Sequence, residues 1–202
     1  MCRMIKDVNC PFFLTLREIL KFFIKPILFL FRGFRVQGKK NLPRSRRSCI
    51  VISNHAGFID SVLFICFIRP RFTVCGARPK YFKTRLRRFI FRTANVLKVE
   101  NHDQFLDDCG SLLNAGEVIL IYPEMGRNPE GLAEFKTWAA EVAIANNVPV
   151  VPCYIYGTTI GQQGKKRLLV GEVIEPSGSP ESLTREFRNR IEKLHQQYIG
   201  GR

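Results

Sequence analysis

Acidic residues all but vanish from one long part of this chain: between Glu18 and Glu100 the only carboxylate is Asp60. Residues 19–99 hold nineteen Lys and Arg against that single acid, a local charge of +18, while the rest of the chain sums to −3 and the whole to +15. Such a surface disfavours cationic partners and suits nucleic acid, an acidic membrane surface or phosphate-bearing substrates. Paired cysteines are missing as well. The seven Cys include no C-x-x-C pair and several sit in apolar runs, so they read as reduced core residues of a protein on the cytosolic side. With three His in all, no cluster suggests a zinc site, and no metal is expected. No Gly-x-Ser-x-Gly elbow occurs, and no P-loop, since Gly164-Lys165 is followed by Lys166. Internal repeats and low-complexity tracts are also missing.

Nor is there an apolar run free of charge. Residues 11–31 approach one, but Arg17, Lys21 and Lys25 recur every fourth residue with Glu18 beside them. On a helix those cations form one stripe, and Phe12, Phe13, Leu16, Ile19, Phe22 and Phe23 lie on the other faces. Mid-span charge is costly in hydrocarbon, whereas a cationic stripe opposite Phe and Leu suits a helix lying in the membrane interface. Pro26 is expected to break or kink that helix. The interrupted run with no small-residue cleavage site after it argues against a signal peptide. Residues 1–36 are therefore read as an amphipathic, membrane-associating helical segment, and 37–202 as one α/β domain large enough for its own core.

Apolar runs alternate with helical patterns through the remainder. Cys49-Ile50-Val51-Ile52, 72–76, 94–99, 117–122, 148–156 and 167–174 read as strands, with a short one at 34–38. Helices are expected at 58–68, from about 82 to 92, at 103–115, at 135–145 and at 182–198. In the basic segment 78–92, Phe82, Leu86, Phe89 and Ile90 share one face that suits a core. The pattern implies an α/β fold with a largely parallel central sheet flanked by helices.

One constellation stands out. His55 follows the Cys49 strand, where open α/β sheets place their chemistry, and Asp60 comes five residues later, in the first turn of the next helix. A carboxylate there can fold back onto the imidazole, fix its tautomer and raise its basicity. An Asp at helix start is often only a dipole partner. That Asp60 is the single acid in an 81-residue basic stretch (19 to 99) favours a functional role. The same spacing recurs at His102 and Asp107, but in a polar run that reads as a surface helix start. A second feature is the turn-rich loop after the 117–122 strand, where Glu124, Gly126 and Arg127 follow Tyr122-Pro123.

Three stretches in order, Asn54-His55-x4-Asp60, Tyr122-Pro123-Glu124-Met125-Gly126-Arg127 and Val148-Pro149-Val150-Val151-Pro152, resemble the signature blocks of the glycerolipid acyltransferases, the lysophosphatidic acid acyltransferases among them. The resemblance runs over residues 38–174. It implies transfer of an acyl group from acyl-CoA or acyl-carrier protein to the free hydroxyl of a lysophospholipid at a membrane lipid surface, on its cytoplasmic face, without a resident cofactor. His55 would then be the general base and Asp60 its orienting partner. Arg127 would pair with the acceptor phosphate, with Arg78 or Lys80 as a second contact. Asn54 would shape the turn, Glu124 would position the loop or acceptor, and N–H groups near Gly57 or Gly126 would face the oxyanion. The departures are Met125-Gly126 where the family usually has Gly-Thr, and a weak match around Arg78 and Asn101. Two rivals remain: a catalytically silent relative, and a nucleic-acid-binding protein using the basic segment with its interleaved aromatics.

Overall fold

In a computed structural model, residues 10–32, 34–42, 47–57, 59–67, 72–77, 79–129, 131–158 and 167–200 are described. Arg78, Cys2 and most of the polar loop before residue 167 lie outside them. Seven strands form one sheet: β1 (Arg35–Gln37), β2 (Cys49–Ser53), β3 (Phe72–Ala77), β4 (Val96–Lys98), β5 (Val118–Ile121), β6 (Val150–Tyr156) and β7 (Arg167–Val170). Their spatial order is β1-β7-β6-β2-β5-β3-β4. Every pairing is parallel except β6 with β7. β2 and β5 are buried at every position because both faces of the sheet are covered, which is why they read as unbroken apolar runs.

Alternate strand residues feed two cores. Ile50, Ile52, Ile119 and Ile121 pack with Phe105, Ala139 and Phe187 on one face, beneath α4 (His102–Asn114), α5 (Trp138–Asn146) and α6 (Pro180–Gly200). Val51, Val118 and Leu120 pack with Leu63 and Phe64 on the other, beneath α2 (Ile59–Phe67), with α1 (Pro11–Arg32) and α3 (Arg85–Thr93) alongside. Local signals place several ends. Thr84 caps α3 by accepting from the Arg87 N–H, and Asn101 caps α4 by accepting from Gln104. Asn147, at φ 47°, closes α5 in the left-handed region.

The α/β reading and the sheet's mainly parallel character hold, and several local expectations do not. Of the break or kink expected at Pro26, the break does not occur, α1 running through it. The helix expected from 135 begins at Trp138, the Lys136 N–H donating instead to Pro123 O at 2.9 Å. β1 starts at Arg35, so the sheet begins inside the segment assigned to 1–36. On α1 the structure shows which face meets the protein. Arg17 and Lys21 are 2% and 5% exposed, whereas Phe22 and Phe23 are 75% and 61% exposed. Arg17 and Lys21 face the protein while Lys25 is exposed, and Phe12, Phe22 and Phe23 point out. On α3, likewise, Leu86, Phe89 and Ile90 are exposed instead of forming a core face, although Phe89 meets Phe13 of α1 edge-on at 5.7 Å. No helix among the described residues is long and apolar enough to cross a membrane.

Candidate active site

β2 ends at Ser53, and residues 54–57 after it turn back under the carboxyl edge of the sheet. The turn closes on one atom. Asp60 Oδ2 accepts from His55 Nδ1 at 3.0 Å and from the Ala56 and Gly57 N–H groups at 2.8 Å each. Asp60 is fully buried, and three donors on one oxygen are what keep an ionised carboxylate tolerable there. The contact holds His55 with its proton on Nδ1, leaving Nε2 as the nitrogen able to take a proton from a substrate. Gly57 is needed for close approach, since a Cβ on it would lie 3.0 Å from Thr158 O. Its N–H points at Asp60, so of the two expected oxyanion donors Gly57 is already engaged.

The imidazole is fixed from below as well. Tyr122, at the end of β5, stacks on it with ring centroids 4.0 Å apart and planes 13° from parallel. The phenol oxygen is 3.0 Å from Ser61 Oγ, on α2 beside Asp60. Burial, with the Asp60 charge adding to it, pushes the Tyr122 phenol well above its ordinary range, so it stays neutral.

Glu124 staples the loop to the turn. One carboxylate oxygen accepts from His55 N–H and the other from Ala133 N–H, both at 2.9 Å, and Asn128 N–H donates to His55 O at 2.7 Å. Burial raises the Glu124 pKa, and the two backbone donors offset part of that rise. Asn54 is 4% exposed. Its amide accepts from Ile155 N–H at 2.7 Å and donates to Ile155 O at 3.0 Å, so it ties β2 to β6. Both side chains are fixtures of the backbone, and neither lines the cavity described next.

A cavity of about 510 Å³ opens at His55, Met125, Gly126 and Arg127. Its walls are apolar side chains between the sheet and the first three helices, among them Ile24, Val62, Ile65 and Phe89, and Arg17 and Lys21 also line it. Met125, where the family usually has Gly, sits at φ 52°. That left-handed conformation suits glycine and costs a side-chain-bearing residue about 1–2 kcal/mol.

The structure thus brings His55, Asp60, Gly126 and Arg127 together. Lys80 is exposed, with its ammonium 5.3 Å from the Tyr81 ring centroid, and does not line the cavity. Val148 to Pro152 does not line it either. His102 pairs with Glu141 across the α4–α5 contact at 2.7 Å, and His195 stacks on Tyr154. Sequence reasoning missed Tyr122, Ser61 and Met125 as neighbours of His55. Their positions, at a strand end and beside Asp60 on a helix start, were the available signal.

Comparison with known proteins bears on the family and the fold. A family profile described as Acyltransferase matches residues 33–156. Over 171 residues the chain is 26% identical to a chloroplastic 1-acyl-sn-glycerol-3-phosphate acyltransferase of Brassica napus, covering 77% of this chain and 49% of that one. A 1-acyl-sn-glycerol-3-phosphate acyltransferase of Chlamydomonas reinhardtii is 29% identical, covering 76% and 50%. The chain therefore spans about half the length of these curated relatives. The crystal structure of the 1-acyl-sn-glycerophosphate acyltransferase PlsC of Thermotoga maritima superimposes with a TM-score of 0.74 at 23% identity, covering 96% of this chain and 90% of that one, which bears on the fold.

Proposed function

The chain belongs to the acyltransferase family, and from that premise we propose that it moves a fatty acyl group from a thioester donor to the free hydroxyl of a lysophospholipid. The acceptor is 1-acylglycerol-3-phosphate and the product phosphatidic acid, the donor being acyl-CoA or acyl-carrier protein. The observation that carries this reading is the His55–Asp60 contact, 3.0 Å, at the open end of an apolar cavity beside Arg127.

The chemistry follows from that placement. An alcohol is a poor nucleophile at neutral pH, so His55 Nε2 takes its proton as the oxygen attacks the thioester carbon. Asp60 keeps the imidazole oriented and stabilises the imidazolium. Collapse of the tetrahedral intermediate forms the ester, breaks the carbon–sulfur bond and returns the proton from His55 to the leaving thiolate. Gly126 N–H is the remaining candidate for the oxyanion, and Arg127, which lines the cavity, pairs with the acceptor phosphate in this reading. No resident cofactor is called for. The outward aromatic face of α1, next to the basic and apolar surface of α3, supports attachment to one membrane leaflet without crossing it. Reduced thiols support its cytoplasmic side, all six described cysteines being free.

Acyl transfer from an acyl thioester to a panel of lysolipid acceptors, with products read by mass, tests this. Lysophosphatidic acid should be the best acceptor, and His55→Ala should lower the rate on the order of a thousandfold or more. Equal rates for the two proteins remove the enzyme. Vesicle binding without turnover by the wild type would leave a silent relative.

A further inference from the structure

The inner end of the cavity is not apolar. Arg17 is 2% exposed and Lys21 5%, and both line the space that opens at His55. Arg17 donates through Nη1 to Phe72 O at 2.9 Å, and its Nε lies 3.5 Å from Glu18 Oε1. Lys21 meets the same carboxylate oxygen at 3.1 Å. Arg17 Nη2 and Nε are both buried with no hydrogen-bond partner among the described residues, the 3.5 Å approach of Nε to Glu18 being an ion pair only. An orphaned donor on a desolvated guanidinium is costly, so an acceptor atom at that spot is favoured.

The register of the sheet says where that spot is. Phe72 lies level with Val118 and Cys49, at the amino-terminal edge of the strands, whereas His55 lies past Ser53 at the carboxyl edge. Four residues of β2 separate those levels by roughly 13 Å, and the cavity runs between them. Glu18 and Glu117 lie close enough to act on the Arg17 charge, and Glu18 also meets Lys21. The two cations are thus already faced by two carboxylates, and a neutral oxygen suits the vacancy better than another anion.

Taking the acyltransferase reading of His55 as given, we propose that Arg17 forms a polar subsite at the far end of the acyl-chain cavity, which recognises a hydroxyl or other hydrogen-bond-accepting oxygen on the distal part of the chain. A plain methyl terminus leaves Nη2 unpaired. A chain whose end carries an oxygen pairs it and keeps the apolar walls filled along the way.

The test compares acyl groups of equal length, plain and ω-hydroxylated, as competing donors with a plain acceptor, and then on the acceptor with a plain donor. The two arms distinguish which chain occupies the cavity. The ω-hydroxylated member should win by about tenfold in kcat/KM in one arm, as expected of one hydrogen bond to a charged donor. Arg17→Met should abolish that preference, read as the ratio of hydroxylated to plain product. Because Arg17 also holds Phe72 and its loss can impair folding, the wild-type competition stands alone as a test. Thermal stabilisation of the wild type by ω-hydroxylated against plain fatty acids is a readout independent of turnover. Stabilisation by the hydroxylated acid without any acyl transfer would refute the reaction and keep the subsite. Turnover or binding with equal or greater preference for plain chains would overturn the subsite and leave the reaction standing.

Discussion

At the scale of single residues, the site is built by donors converging on acids. Asp60 was legible in the sequence because it is the lone carboxylate in a basic stretch, and five residues of spacing sufficed to suspect its partner. What spacing does not show is that Ala56 and Gly57 N–H groups share the same oxygen, since a backbone donor leaves no mark in a sequence. This sharing shapes the expected outcome of Asp60→Asn. The amide presents either an oxygen to three donors or an NH2 that repels them, and one orientation imposes the wrong His55 tautomer. Turnover should fall on the order of a thousandfold or more, with loss of stability from a disturbed buried cluster, both measurable on one preparation by thioester release and urea unfolding. Retention of a tenth of the activity would show that the contact is not used in the reaction. Met125 invites the opposite kind of change. Gly at this position relieves the left-handed strain but raises the entropy of the unfolded loop, so Met125→Gly should alter stability by less than about 1 kcal/mol. Because the Met125 side chain lines the open end beside His55 and Arg127, the variant should accept bulkier lysolipids. An unchanged acceptor profile would place the side chain out of the acceptor's way.

Elements were legible where both faces told the same story. β2, β5 and β6 are apolar throughout because they are covered on both sides, and strands of that kind announce themselves. α1 is the opposite case. Its periodicity divides cations from aromatics, yet periodicity cannot say which face meets the protein, and the usual rule of charge outward gives the wrong answer here. The burial of Arg17 is made possible by a partner far away in sequence, Phe72 O, that no local reading contains, whereas Lys21 is paired with its neighbour Glu18. β7 was recognised as a strand but its antiparallel pairing was not, as direction depends on the connection before it. The outward aromatic face has a direct consequence. Phe22 and Phe23 are mostly exposed, so replacing both with Ser should disturb folding little, within about 0.5 kcal/mol per site. It removes two side chains that each contribute about 1.5–3 kcal/mol when taken out of water. Co-sedimentation with lipid vesicles should therefore drop by tenfold or more in the double variant, with its unfolding midpoint nearly unchanged. Equal sedimentation would mean that another surface makes the membrane contact.

For the whole molecule, charge and apolar surface fall on the same side. Exposed Leu86, Phe89 and Ile90 on α3 are interleaved with exposed Arg85, Arg87, Arg88 and Arg92, and α3 packs against α1. A face of this kind has two independent attractions to an anionic bilayer, and salt separates them. Each cation near the surface of an anionic leaflet contributes about 1 kcal/mol, and that part fades as the Debye length shrinks from roughly 10 Å at 0.1 M to about 3 Å at 1 M. Transfer of Phe and Leu into the acyl region is not screened. Binding to vesicles rich in anionic lipid should accordingly weaken steeply with salt and then level off, while weaker binding to neutral vesicles stays nearly flat across the same range. A nucleic-acid-binding protein behaves differently: its affinity for random DNA falls linearly with log salt and has no plateau, and it shows no affinity for neutral lipid. Measuring both ligands over one salt series decides between a molecule whose +18 half steers it to a membrane and one whose +18 half is the whole of its binding. A flat profile on anionic vesicles would assign the attachment to the aromatic face alone, leaving the basic surface to phosphate-bearing substrates.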